Sequence, residues 1–166
     1  MLVLIALELI WLLSVRRRTY FHRAVDWSVL LDWIFIIETA TVLSRSAIES
    51  KTLEQLISFD ISTAWAISPG VYGAIDTYTE LAMNILMFMP FGYLLAKLSG
   101  GRKWIVFGGS FLITLSIETL QLVLRRGFFE LADILLNMTG AILGYAAYRV
   151  IRRLVAKWKK HSAQSD

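Results

Sequence analysis

The stretch that decides the fold class is WIVFGGSFLITLSIETLQLVL, residues Trp104–Leu124, in which Glu118 is the single ionisable side chain. A helix needs about 20 mostly apolar residues to cross the hydrocarbon core of a bilayer. Similar segments occupy Ala24–Ser44, Glu80–Leu98 and Leu131–Ile151, and a shorter one occupies Leu2–Val15. The sequence therefore predicts about five transmembrane helices, of which the first is short.

The composition is that of a membrane protein. Of the 166 residues, 57% are hydrophobic and 18% are charged, whereas soluble domains have about 45–50% and about 25%. The chain is too apolar for a disordered segment, and without cysteine it has neither disulfides nor a cysteine-based zinc site. The two histidines, His22 and His161, lie in basic segments, so we expect no metal site and no cofactor. We predict a single all-α helical bundle, residues 1–166, that crosses the cell membrane several times.

The basic residues predict the orientation of the bundle. Thirteen of the 17 lysines and arginines fall in connections that share one side of the membrane, and an excess of positive charge marks the cytoplasmic side. The N-terminus is then outside and the C-terminus cytoplasmic, with an extracytoplasmic loop at residues 45–79 and a basic cytoplasmic tail at 152–166. The tail is typical of contact with anionic membrane lipid. It does not interleave aromatic and basic residues as a nucleic-acid surface does.

The extracytoplasmic loop permits two interpretations. Its pieces Leu53–Phe59 and Ile61–Ile67 are partly apolar and are flanked by acidic side chains. The simpler interpretation is a loop with a short helix at the membrane interface. The alternative is a lid over a site at the outer face.

Six polar side chains in four predicted helices fall in one layer on the outer side of the midplane. At a rise of about 1.5 Å per residue, their depths are about 6–12 Å outward. They are Glu38, Asn84, Glu118, Gln121, Asp133 and Asn137. Hydrogen bonds between helices explain the amides, but an ionisable group inside a bilayer costs about 2.5–3.5 kcal/mol on insertion scales. We therefore predict a convergent site that opens toward the outer leaflet.

Spacing within the helices also favours one site, because residues three, four and seven apart share a helix face. Glu118, Gln121 and Arg125 form one such stripe. The other two stripes are Glu80, Asn84, Met87 and Phe91, and Asp133, Asn137, Gly140 and Gly144. The glycine pair is typical of a helix that lies close to a neighbouring backbone.

Arg125 and Arg126 follow the fourth predicted helix at its outer end. A simple role is to interact with the C-terminal end of the helix dipole. They could equally neutralise Glu118 and Asp133, or bind a phosphate or carboxylate as a bidentate fork.

Asp32 falls near the midplane of the second predicted helix. An ionised carboxylate is costly at that depth. We therefore predict that Asp32 faces the bundle and is protonated or paired with an amide.

The order and spacing of these residues resemble the VanZ-like membrane protein family over residues 80–151. The pattern is Asn84-x5-Pro90-x-Gly92, Glu118-x2-Gln121, Arg125-Arg126-Gly127 and Asp133-x3-Asn137-x2-Gly140-x3-Gly144. The resemblance implies a small multi-span protein linked to resistance to the glycopeptide antibiotic teicoplanin at the cell envelope. It places the polar signature of the family on Asn84, Glu118, Gln121, Asp133 and Asn137. One of Arg125 and Arg126 takes the arginine position, and the Arg-Gly step favours Arg126. We assign Pro90, Gly92, Gly140 and Gly144 to helix packing.

Three functions are compatible with these patterns. The one we favour is a non-enzymatic modulator of teicoplanin action whose outer-leaflet pocket binds a lipid-like ligand, a lipoglycopeptide or a lipid-linked envelope precursor. The ligand-binding residues would be Asn84, Glu118, Gln121, Arg125, Arg126, Asp133 and Asn137. The alternative is a membrane enzyme that uses Glu118 and Asp133 as acid and base, although no nucleophile with its own base is visible. The third is a bundle in which the polar layer only holds the helices together.

Overall fold

Four long helices dominate the computed structural model, which describes residues 18–62 and 71–165. Helix α1 (Arg18–Glu38) continues into a π-helical turn (Thr39–Leu43), and a 3-10 turn (Glu54–Leu56) leads into strand β1 (Ile57–Ser58). The remaining elements are α2 (Val71–Leu98), α3 (Lys103–Val123), β2 (Phe129–Glu130) and α4 (Leu131–Ser165).

The structure confirms a helical fold of the membrane type, but it does not confirm five membrane-spanning helices. Among the described residues, three helices are long and apolar enough to cross a membrane: Thr77–Leu98, Lys103–Val123 and Leu131–Ser162. Helix α1 is not among them, since it carries Asp26, Asp32 and Glu38. The first predicted segment, Leu2–Val15, lies outside the described residues. The number of spans and their orientation stay predictions.

The closest helix contact in the bundle joins α2 and α4, which run parallel. A Cβ atom at Gly140 would overlap the carbonyl oxygen of Ile85, and one at Gly144 would overlap that of Met89. On the other helix, a Cβ atom at Gly92 would overlap the Ala141 carbonyl. Small residues let two helix backbones approach in this way, so that main-chain atoms pack directly against each other.

Helix α1 runs antiparallel to α2 and closes the apolar core. In its first half the Asp26 carboxylate lies 2.6 Å from Lys97 Nζ, and in its second half Trp33 Nε1 donates to the Met87 carbonyl at 2.7 Å. The core between α1, α2 and α3 consists of the buried side chains Leu30, Ile37, Val42, Phe88, Phe91 and Ile117. Helix α1 is thus fixed along its length although its composition is less apolar.

The prediction that Asp32 faces the bundle is wrong, because its side chain is exposed. Leu30 and Ile37 mark the buried face of α1, and they are seven residues apart, which is about two helical turns. Asp32 is two residues from Leu30, about 200° around the helix, and therefore points the other way. The face of α1 that packs into the bundle is occupied by Leu30 and Ile37, so the Asp32 carboxylate lies on the opposite face.

The described part of the loop at residues 45–79 pairs with the connection between α3 and α4. Strands β1 and β2 pair in parallel, with Ile57 opposite Phe129 and Ser58 opposite Glu130. Leu56 is fully buried beneath this contact. The loop is therefore held at the same end of the bundle as the polar residues of α3 and α4.

Replacing Gly144 by Val should destabilise the bundle by about 1–3 kcal/mol, because the new side chain overlaps the α2 backbone. The measurement is the thermal unfolding midpoint in a mild detergent. Gly108→Val is the matched control, since Gly108 lies in α3 with open space around the site of a Cβ atom. Equal midpoints for the two variants would show that α2 and α4 do not need this close contact.

Candidate functional site

Four carboxylates lie within the electrostatic range of one arginine at the end of the bundle where the loop docks. Arg45 Nη2 lies 3.5 Å from Glu80 Oε1, and the charge of Arg45 also acts on Glu118, Glu130 and Asp133. These residues come from the start of the loop, from α2, α3 and β2, and from the first turn of α4. The fold thus collects acidic groups from the whole chain around a single guanidinium group.

Hydrogen bonds hold two of these carboxylates in place. Asn84 Nδ2 donates to Asp133 Oδ1 at 2.8 Å and so joins α2 to α4. The backbone N–H of Glu130 donates to Glu118 Oε2 at 2.9 Å. The Glu118 side chain is fully enclosed, at 1% exposure, so this bond supports a polar group that would otherwise be costly to bury.

The Glu130 carboxyl lies just outside the spanning helices, between β2 and α4. Burial raises its pKa above the ordinary value, and the nearby charge of Glu80 raises it further. Arg45 opposes both effects. Glu130 therefore holds a proton more readily than an exposed glutamate does.

Gln121 connects α3 to the π-helical turn. Its Nε2 donates to the Thr41 carbonyl at 3.1 Å, and its side chain is 2% exposed. A Cβ atom at Gly127 would lie 2.9 Å from Gln121 Oε1, so a larger residue there would displace the Gln121 side chain. Within the described residues, this Oε1 atom has no hydrogen-bond partner. Gln121 is thus enclosed by neighbouring backbone.

Asn137 forms a separate contact one helical turn along α4 from Asp133. Its Nδ2 donates to Thr114 Oγ1 on α3 at 2.8 Å. Its Oδ1, like the hydroxyl of Ser110, finds no hydrogen-bond partner among the described residues. This part of the polar layer links α3 to α4 away from Arg45.

Arg125 and Arg126 hold the loop. Arg125 Nη1 donates to the Lys51 carbonyl at 3.2 Å, and Arg126 Nη1 donates to the Leu43 carbonyl at 2.8 Å. The backbone of Arg125 has a φ of 52°, a value that is usual for glycine in the turn that ends a helix. In this turn the Arg126 N–H donates to the Gln121 carbonyl at 2.8 Å. The Arg125 carbonyl accepts a hydrogen bond from the Ile48 N–H at 2.7 Å, which ties this turn to the loop.

A cleft of about 300 Å³ opens beside the carboxylates, between the π-helical turn that follows α1 and the middle part of α2. Its lining residues are Ala40, Thr41, Arg45, Thr79, Glu80, Met83, Asn84 and Met87. Arg45 and Glu80 form a charged end, and the two methionines form an apolar wall. Met83 is exposed on the helix surface, so the cleft joins the ion pair to the apolar outside of the bundle.

The family model described as VanZ/LLP1 matches residues 2–152. The chain belongs to the VanZ/LLP1 family. No curated protein and no solved structure matches it.

This VanZ/LLP1 chain brings several sequence-predicted residues together and separates others. Asn84, Glu118 and Asp133 lie in the cluster around Arg45. Gln121 borders the cluster on α3, whereas Asn137 pairs with Thr114. Across the described ranges, 18–62 and 71–165, no group of three or more acidic or histidine side chains is arranged to hold a metal ion.

Sequence reasoning missed the most central residue of this VanZ/LLP1 site, Arg45. Arg45 falls at the start of the segment predicted as a loop, residues 45–79, whereas the cations expected near the acids are Arg125 and Arg126. One signal pointed to Arg45: it follows the second predicted segment directly, and Glu80 begins the third. Both positions therefore belong to the same outer boundary. Glu130, which precedes the last predicted segment, carries the same signal.

Glu118→Gln should leave the VanZ/LLP1 bundle about 1–3 kcal/mol more stable than Glu118→Leu, because only glutamine retains an acceptor for the buried Glu130 N–H. Both substitutions remove the charge, so charge does not confound the comparison. The measurement is chemical or thermal unfolding in detergent. If the leucine variant is as stable as the glutamine variant, this hydrogen bond does not support the site.

Arg125→Gly should be about 1 kcal/mol more stable than Arg125→Ala, since glycine adopts a positive φ without steric strain. Both variants lose the side-chain bond to the Lys51 carbonyl, so their difference isolates the backbone. Thermal unfolding midpoints measured in parallel check this. The reverse order would show that the turn relaxes when the arginine side chain is lost.

Proposed function

We propose that this VanZ/LLP1 protein lowers the action of teicoplanin-type glycopeptides by binding an amphiphilic ligand at the outer face of the cell membrane. The ligand is a lipid-like molecule, a lipoglycopeptide or a lipid-linked envelope precursor. The observation that carries the proposal is the cleft between α1 and α2, which is charged at one end and apolar at the other.

The chemistry of the cleft matches an anionic head with an apolar tail. Arg45 is partly exposed and is paired with Glu80 at 3.5 Å, a separation at which an incoming anion can compete for the guanidinium group. Arginine binds carboxylate and phosphate as a planar fork. Met83 and Met87 supply a flexible apolar wall that adapts to chains of different shape.

The polar layer behind the cleft supports its shape. Asn84 lines the cleft and also donates to Asp133 on α4, so the wall on α2 is tied to the rest of the bundle. Gln121 holds the π-helical turn next to Arg45 through the Thr41 carbonyl. A preformed pocket loses less conformational entropy when a ligand binds.

Arg45→Gln should weaken protection against teicoplanin about tenfold, which corresponds to the loss of one charge-assisted hydrogen bond. The measurement is the inhibitory concentration in a susceptible bacterium that expresses the full chain, with membrane levels checked by immunoblot. Arg153→Gln is the control, because it removes the same charge from an exposed position in α4. The proposal would be contradicted if Arg45→Gln protected as well as the unchanged protein. It would also be contradicted if Arg153→Gln lost as much protection as Arg45→Gln.

A second candidate is acid–base catalysis on a lipid-linked substrate, which the closeness of the Glu118 and Asp133 charges favours. The enclosure of Glu118 and its bond to the Glu130 N–H argue against it. Glu118→Gln separates the two functions, since it preserves the hydrogen bond and abolishes proton transfer. Retained protection supports ligand binding, and loss of protection with an intact fold supports the enzyme.

A further inference from the structure

A second cavity lies at the opposite end of the helices from the candidate site. It measures about 550 Å³ and is formed where α1 crosses the turn between α2 and α3. Its charged lining residues are Arg23, Asp26, Lys97 and Arg102. Three cations thus face one cavity with a single carboxylate. The size is within the range of about 300–1,000 Å³ that is usual for ligand pockets.

Aromatic side chains place this cavity at the level of the lipid headgroups. Trp104 is 77% exposed and Trp27 is 48% exposed, and Lys103 lies over the Trp104 ring with Nζ 4.9 Å from its centroid. Tryptophan is enriched at the membrane–water interface, where its ring sits among the headgroups. The cavity therefore opens at the boundary of the spanning helices, on the side predicted to be cytoplasmic.

The electrostatic balance of the cavity is positive. Lys97 Nζ and the Asp26 carboxylate lie 2.6 Å apart and neutralise each other, while Arg23 and Arg102 are exposed. Arg102 precedes the first turn of α3 and makes no side-chain cap there. The positive end of the α3 dipole and the negative end of the α2 dipole meet at this turn and oppose each other, so the net positive field comes from the arginines.

The walls of the cavity are apolar where they descend toward the membrane interior. Leu95, Leu98 and Ile105 line it together with Trp27. A basic loop that only marks topology needs no such walls, since its charges need only reach water. The combination of cations above and apolar side chains below fits a charged headgroup with an attached acyl chain.

We propose that this cavity binds one anionic phospholipid, with the phosphate between Arg23 and Arg102, beside the Lys97–Asp26 pair, and an acyl chain along Trp27 and Ile105. Basic pockets between membrane helices on the cytoplasmic side recognise phosphate headgroups in this way. The site is separate from the ligand cleft at Arg45, and its occupant belongs to the other leaflet. A bound lipid here would brace α1 against the α2–α3 turn.

The test is native mass spectrometry of the full chain in a neutral detergent, titrated with phosphatidylglycerol. A neutral micelle removes the surface potential that would attract any basic protein. We expect one tight phosphatidylglycerol adduct and about tenfold weaker binding of it in Arg102→Gln, for the loss of one charge-assisted hydrogen bond. Arg153→Gln, which lies outside the cavity, should bind as the unchanged protein does.

Three further arms make the outcome decisive. Phosphatidylcholine with the same acyl chains should bind more weakly, and Asp26→Asn should bind phosphatidylglycerol more tightly because it frees Lys97. Equal binding of the two lipids, or equal loss in Arg102→Gln and Arg153→Gln, would overturn the proposal. Saturation of the cavity by inorganic phosphate without any lipid adduct would also overturn it, and would assign the site to a free anion.

Discussion

The close parallel contact between α2 and α4 is the constraint on which the rest of the bundle depends. Glycines at 92, 140 and 144 let the two backbones meet. That contact brings Asn84 Nδ2 within 2.8 Å of Asp133 Oδ1, so the polar parts of the two helices lie side by side. With larger residues at these positions, the polar groups on α2 and α4 would be too far apart to share one site.

The buried polar side chains of α3 need hydrogen-bond partners, and the loop and its flanking turns supply them. Glu118 and Gln121 are enclosed, and a buried polar group must find hydrogen-bond partners or cost stability. The partners come from backbone that lies far away in sequence or outside regular helix: the Glu130 N–H and the Thr41 carbonyl. The π-helical turn and the strand pairing thus complete the site, and Arg45 supplies its positive charge.

The sequence predicted features that depend on helix periodicity and hydropathy. The all-helical membrane-type fold follows from apolar length, and the family follows from motif order. The sequence could not predict the position of Arg45 in the cluster, because that depends on how the loop folds back rather than on a helical repeat. The prediction for Asp32 is wrong for a related reason. Its depth along the helix sets the free-energy cost of burying the carboxylate, but only the packing of α1 decides which side of the helix faces the bundle. Arg125 and Arg126 had the expected place in the chain, yet their side chains reach loop carbonyls.

The pairing of β1 with β2 has a consequence for the order of assembly. Ile57 and Phe129 are far apart in the chain, and the segment that contains Ile57 is synthesised first. Strand β1 therefore has no partner until β2 has been made. Asn84, the loop and the face of α2 around Gly92 all contact partners that lie in α4 or just before it. During synthesis the polar layer therefore stays incomplete until α4 has been made, and the insertion of α4 is the step that joins Asp133 to Asn84.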